Sequence, residues 1–144
     1  MNHRLLFVFL LLLGVGCKKP EPAPLPENMQ RLTAGDYKDW RLEKVVYLLL
    51  NVSDQVPACQ RDEIYRFYAD GQGEIRSGQQ PCQASEPEVQ NRGTWEFKDG
   101  GARLLAHWKD RTWDASVDEL QPDKLVVTGL IFDNYVVTAT FRPQ

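Results

Sequence analysis

The 144-residue chain is long enough for one domain and too short for two. Its formal net charge of -3 comes from 17 Lys and Arg set against 20 Asp and Glu, interspersed with no basic run long enough to track a phosphate backbone, which excludes an ordinary nucleic-acid binder. Two histidines and three cysteines leave few residues for metal or nucleophilic chemistry.

In chain order, Arg4 supplies a positive start and Leu5 to Leu13 is an unbroken apolar run. That run has the length of a signal hydrophobic region and falls well short of the ~20 residues that span a bilayer. Small residues, Gly14-Val15-Gly16, lead to Cys17. Residues 1–16 resemble a bacterial lipoprotein signal, in which a small residue directly precedes a cysteine that becomes lipid-modified and N-terminal. Gly14 stands where that family usually has Leu. The resemblance implies lipidation of Cys17 and a membrane partner held through that anchor. The other reading is an ordinary cleaved signal that leaves Cys17 as a free thiol. Lys18, rather than Asp, follows the cysteine, and by resemblance to bacterial sorting rules this implies the outer membrane, on either face.

From Lys18 to Glu27, Pro occupies positions 20, 22, 24 and 26. Proline fixes φ and restricts its predecessor, so an extended spacer is expected, reaching roughly 30 Å at ~3.1 Å per residue. The organisation read from the sequence is a signal over 1–16, a lipidated cysteine and Pro-rich tether over 17–30, and a folded domain over 31–144. Glu27 to Ala34 suits one or two helical turns stopped at Gly35, or a frayed linker.

From Trp40 onward the pattern is almost all strand. The runs are Trp40 to Leu50, Glu63 to Ala69, Gly73 to Ser77, Gly93 to Phe97, Arg103 to Trp108, Thr112 to Val117, Lys124 to Ile131 and Tyr135 to Phe141. Asp70-Gly71 and Asp99-Gly100 are hairpin signals for type I′ turns, Asp133-Asn134 is a weaker one, and Gln121-Pro122-Asp123 is a turn with a preset φ. Trp95 and Phe97 share a face, as do Trp113, Ala115 and Val117, and Tyr135, Val137, Ala139 and Phe141, each opposed mostly by polar residues. One apolar and one polar face per strand, with hairpin following hairpin, predicts an all-β fold: a small eight-stranded up-and-down antiparallel barrel. An immunoglobulin-like sandwich is the alternative; it needs longer crossovers and a Trp between its cysteines, and none lies between Cys59 and Cys82.

If Cys17 carries lipid, Cys59 and Cys82 remain as an even pair in an oxidising compartment, where a disulfide is the expected state. The rival is a metal site, but neither cysteine has a Cys-x-x-Cys partner and His107 is the only histidine beyond the signal.

The domain resembles the lipocalin-like domain of small bacterial lipoproteins, particularly of Bacteroidetes-type bacteria. The resemblance rests on Cys59-Gln60-Arg61-Asp62-Glu63-Ile64-Tyr65-Arg66-Phe67-Tyr68-Ala69-Asp70-Gly71, then Gly78 and Cys82, on Gly93-Thr94-Trp95, and on Leu125-Val126-Val127 with Tyr135 to Phe141. It covers most of the domain. True lipocalins open with Gly-x-Trp, whose Trp closes the barrel beneath an Arg from the last strand. Here Trp40 is present, Lys38 replaces the Gly, and Arg142 is placed to stack on Trp40; ordinary core and solvated tail are the plainer roles for the two.

No catalytic set is legible. A nucleophilic triad would have to use His107, which alternates with Trp108 and is expected in solvent. Asp62-Glu63 and Asp118-Glu119 are adjacent pairs that point to opposite faces of a strand, so neither is a glycosidase dyad. Asp70 to Glu74 lacks calcium-loop spacing. The expectation is a non-enzyme without cofactor or metal. Trp95, Phe97, Trp113, Tyr135 and Phe141 are the candidate inward aromatics, suited to holding a small hydrophobic ligand or to packing as a core. The other class of function is a protein-interaction or inhibitor module of the cell envelope, with the Cys82 to Gln90 loop as its best candidate surface.

Overall fold

The computed structural model describes residues 23–132 and 135–144. The expected signal 1–16, Cys17, the start of the tether and the Asp133-Asn134 turn lie outside the described residues.

Among the described residues one antiparallel sheet runs through β1 (Tyr37–Tyr47), β2 (Leu50–Asn51), β3 (Ile64–Tyr68), β4 (Gln72–Arg76), β5 (Val89–Lys98), β6 (Arg103–Trp108), β7 (Thr112–Gln121), β8 (Lys124–Phe132) and β9 (Tyr135–Pro143). From β3 onward each strand pairs with the next, and β3 pairs back onto β1. The last strand β9 returns to β1, with Leu42 opposite Phe141 and Val46 opposite Thr138, and closes the cylinder. Eight strands make the wall, in the up-and-down order that the alternation predicts, and β2 is a two-residue extension of the β1 end.

The inward faces fill the barrel. Trp40, Tyr65, Phe67, Leu104, Trp113, Leu125, Val127 and Phe141 have no solvent exposure. Their rings meet in tilted and edge-on pairs: Tyr65 and Trp113 have centroids 4.9 Å apart, and Phe141 lies 5.5 Å from each. Small residues make room for the large ones. A Cβ at Gly73 would stand 2.8 Å from the Trp108 ring, so β4 lies against that indole only because it carries glycine there.

Helix α1 (Glu27–Thr33) closes the barrel end at which β1 begins. It stops in left-handed Ala34 and Gly35, as the sequence pattern anticipates. Leu32 is fully buried, its carbonyl accepts the Trp40 indole N–H at 2.9 Å, and Arg31 donates to the Leu120 carbonyl at 2.8 Å. The Arg142–Trp40 stack is not formed. Arg142 donates to Glu43 at 3.1 Å and to the Asp123 carbonyl, while the Lys38 ammonium lies 4.5 Å from the Trp40 ring centroid. Lys38 thus takes the cationic position over the tryptophan. Partial burial lowers its pKa, against the pull of Asp123.

Two turns differ from expectation. The first run does not continue to Leu50: Tyr47 pairs with Leu50, leaving Leu48 and Leu49 as a two-residue loop with φ of 46° and 67°. Positive φ at both positions is the type I′ requirement that Asn-Gly normally meets, and each leucine there carries about 1–2 kcal/mol of steric strain. At Asp70-Gly71 only Gly71 has positive φ, 85°, and its N–H donates to the Tyr68 carbonyl at 3.1 Å, so the loop is a three-residue one. Asp99 and Gly100 both take positive φ, 52° and 68°, within a short 3₁₀ turn.

Cys59, on helix α2 (Ala58–Arg61), and Cys82, in the β4–β5 connection, form a disulfide across a sequence separation of 23. Among the described residues the strand pairings, the closing seam and this bond complete a closed barrel between β1 and β9. Replacing both cysteines by Ser is expected to lower the unfolding free energy by about 3 kcal/mol, measured by urea titration. An unchanged urea midpoint at the same slope would show that the bond is not a staple.

Candidate functional site

The five candidate aromatics separate into three places. Trp113 and Phe141 belong to the filled interior. Trp95 and Phe97, on β5, line a recess of about 500 Å³ at the helix-closed end, against Met29 and Gly71. The Trp95 indole already donates to the Tyr68 carbonyl at 3.0 Å, which fixes it as part of that end wall. Tyr135 keeps the inward register of Val137 but stands at the opposite rim, 61% exposed, with its ring edge-on to Tyr47 at 5.6 Å.

That opposite rim is open, and it combines two surfaces. A mostly apolar recess of about 520 Å³ is walled by Val45, Tyr47, Val52, Val56, Tyr135 and Val137, with Gln55 as a polar member. A smaller polar recess of about 210 Å³ is lined by Gln60, Asp110 and Arg111. Phe132, at the end of β8, lines both. The positions follow from chain geometry. A 3₁₀ turn over Ser53–Gln55 and then α2 carry the chain from β2 to β3 across the rim, setting Val52 and Val56 on one side and Gln60 on the other. The Val45 N–H donates to Ser53 Oγ at 2.9 Å and ties that turn to the wall. Volumes of this order suit a small ligand with an apolar body and a polar end.

Beneath the polar recess lies a buried ionic cluster that the pattern reading did not single out. Glu63, 3% exposed, accepts the Tyr65 hydroxyl at 2.9 Å, and Arg111 approaches its carboxylate at 3.6 Å. Asp110 flanks Arg111 at 3.4 Å and accepts an amide N–H of Asn91, whose own oxygen accepts the Lys109 backbone N–H at 2.8 Å. Burial pushes the Glu63 carboxyl above its ordinary pKa, opposed by the Tyr65 hydroxyl and the Arg111 charge. Burial, and then the neighbouring Glu63, drive the Tyr65 phenol well above its usual range. Burial alone would lower Arg111, but Tyr65, Glu63 and Asp110 outweigh it and hold the guanidinium pKa above its ordinary value. The sequence signal for this cluster was available: Glu63 shares the inward parity of Tyr65 and Phe67, and an inward carboxylate needs partners.

The remaining acidic candidates sit in structural pairs. Asp62 accepts the Gln80 backbone N–H at 2.7 Å, Asp118 accepts the Thr128 hydroxyl at 2.5 Å, and Glu119 pairs with Lys124 at 2.7 Å. His107 is exposed on β6 while Trp108 beside it is buried, which is the alternation expected of that strand. Among the described residues there is no group of three or more His, Cys, Asp and Glu placed to hold a metal ion, and no helix long and apolar enough to cross a membrane. No protein-family model and no curated protein matches the chain.

The raised Glu63 pKa has a thermodynamic consequence. The folded protein binds this proton more tightly than the unfolded chain, so stability is fullest below the ordinary carboxylate pKa of about 4.3 and declines as pH rises through the raised folded value. Glu63→Gln keeps an acceptor for Tyr65 and removes the charge. Its thermal midpoint is expected to vary less than that of the parent protein from about pH 4 to pH 7. Parallel melting curves across that range would contradict this.

Proposed function

We propose that the protein is a lipid-anchored component of the bacterial cell envelope whose lipocalin-like barrel binds a small amphipathic molecule at its open end. The observation that carries the reading is the junction at Phe132, where an apolar recess of about 520 Å³ meets a polar one of about 210 Å³. The apolar half suits a hydrocarbon or ring system, and Gln60 and Arg111 offer hydrogen-bond donors to a polar end. Anchoring rests on the apolar run Leu5 to Leu13, the Gly16-Cys17 junction and the Pro-rich spacer after it. The role is binding rather than catalysis, because the carboxylates near the rim are committed to Tyr65, Arg111 and Asn91.

A second reading, a protein-interaction or inhibitor module, draws on the mostly exposed Cys82 to Gln90 loop, which the disulfide ties to α2. The first reading is preferred because it accounts for both recesses.

The test is fluorescence of N-phenylnaphthylamine with the chain from Lys18 onward, displaced by lauric acid or lauryl alcohol. Val56 is half-buried and packs against the core from the recess side, so Val56→Asp places a charge in the recess while every fully buried residue stays in place. The substitution is expected to weaken probe binding by roughly tenfold or more, measured at a temperature where the melting curves of both proteins show them folded. Equal binding by both proteins, or none by the parent, would sink the reading.

A further inference from the structure

The β1–β2 hairpin tip departs from what its backbone asks for. Leu48 and Leu49 occupy left-handed positions that Asn-Gly would fill without strain, yet they are 76% and 96% exposed. Leu50 follows at 67% exposure. Tyr135 and Val136 stand at the same end, and Leu130, the cross-strand partner of Val136, is exposed as well. Tyr47, the last residue before the tip, touches Tyr135 and lines the apolar recess, so one apolar surface runs from the tip into the mouth. Apolar side chains at strained, solvent-facing positions point to a contact that outweighs the strain.

We propose that this tip inserts into the surface of a lipid bilayer and seats the mouth recess against it. The inference rests on the ligand reading above and extends it: the bound molecule is membrane-derived, with an acyl or similar apolar body. Shape favours a bilayer, since a two-residue turn projecting leucines singly needs a matching socket on a protein but none in fluid acyl chains. Charge favours it too. The segment Val46-Tyr47-Leu48-Leu49-Leu50-Asn51-Val52 carries no ionisable side chain except the tyrosine phenol, so entry of the tip buries no ion, and the exposed Asp54 in the turn that follows is paired with Arg61. Tyr47 and Tyr135 flank the tip with the ring-and-hydroxyl character suited to the membrane–water boundary.

The chain before the barrel permits the geometry. Lys18 to Pro26, nine residues, lead from Cys17 to α1 at the far end of the barrel. Extended at ~3.1 Å per residue those residues reach roughly 28 Å. The 11 residues of β1, at ~3.3 Å each and tilted ~40°, rise by about the same distance. An anchor at Cys17 therefore lets the opposite end of the barrel reach the same membrane.

The experiment is co-sedimentation of the chain from Lys18 onward, which carries no lipid, with vesicles of phosphatidylethanolamine and phosphatidylglycerol in equal parts. The comparison is Leu48→Asn with Leu49→Gly, a pair that suits the turn and is expected to melt no lower than the parent. The parent is expected to sediment with vesicles, and the variant to show a partition coefficient lower by roughly tenfold or more. Three results overturn the proposal: no sedimentation of the parent, equal sedimentation of both proteins, or a parent dimer that the variant converts to monomer without any vesicle binding. N-phenylnaphthylamine binding without vesicles separates the two ideas. A parent that sediments but binds no probe supports docking and overturns the ligand reading.

Discussion

Closing eight strands into a cylinder fixes an interior just wide enough for side chains or for one small guest, and here the side chains take it. The β1–β9 seam, from Trp40 opposite Pro143 to Val46 opposite Thr138, sets the girth. Inside it, Tyr65, Trp113 and Phe141 pack ring against ring, and Trp108 lies against a strand that carries glycine to accommodate it. A guest cannot enter such a core without displacing close-packed rings. That leaves the ends of the barrel as the places open to a guest, and the ends are not equivalent.

One end is sealed by a helix whose buried leucine carbonyl accepts the Trp40 indole N–H, with Lys38 lying over that ring. The other is open, and it gathers the features that a purely stability-driven chain would avoid. These are a carboxylate withdrawn from water at Glu63, two leucines held in left-handed backbone, and aromatic and aliphatic side chains left exposed at the rim. Each is unfavourable for folding alone. Their collection at one end, with the disulfide staple beside them, is the pattern expected where function competes with stability.

Much of the fold was legible because strand alternation is a direct reading of which face meets the core. Trp113 and Ala115 on β7, and Val137, Ala139 and Phe141 on β9, are buried in the register that their spacing implies. The Cys59–Cys82 bond is the pairing that counting thiols suggests once Cys17 is set aside. The hairpin at Leu48-Leu49 was hidden because it uses none of the residues that make such turns recognisable. The site was less legible for a related reason. Alternation reports the face of a strand but not the height along it, so Tyr135 shares parity with Phe141 and yet stands at the rim. Likewise Trp95 and Phe97 face inward at the sealed end, far along the strands from the mouth. The recess itself is assembled from β1, the 3₁₀ turn, β8 and β9, and no local pattern announces a meeting of segments so distant in sequence.

The central claim is that the barrel is filled and that binding takes place at its open end. Methyl and indole chemical shifts of the isotopically labelled protein, recorded during titration with lauryl alcohol, test it most directly. The account predicts shifts for the methyls of Val52, Val56 and Val137, with the indole N–H signals of Trp40 and Trp95 at the helix-closed end and the methyls of Leu104 and Leu125 unmoved. Shifts centred on those interior leucines, or on Trp95 and Met29 at the sealed end, would contradict it.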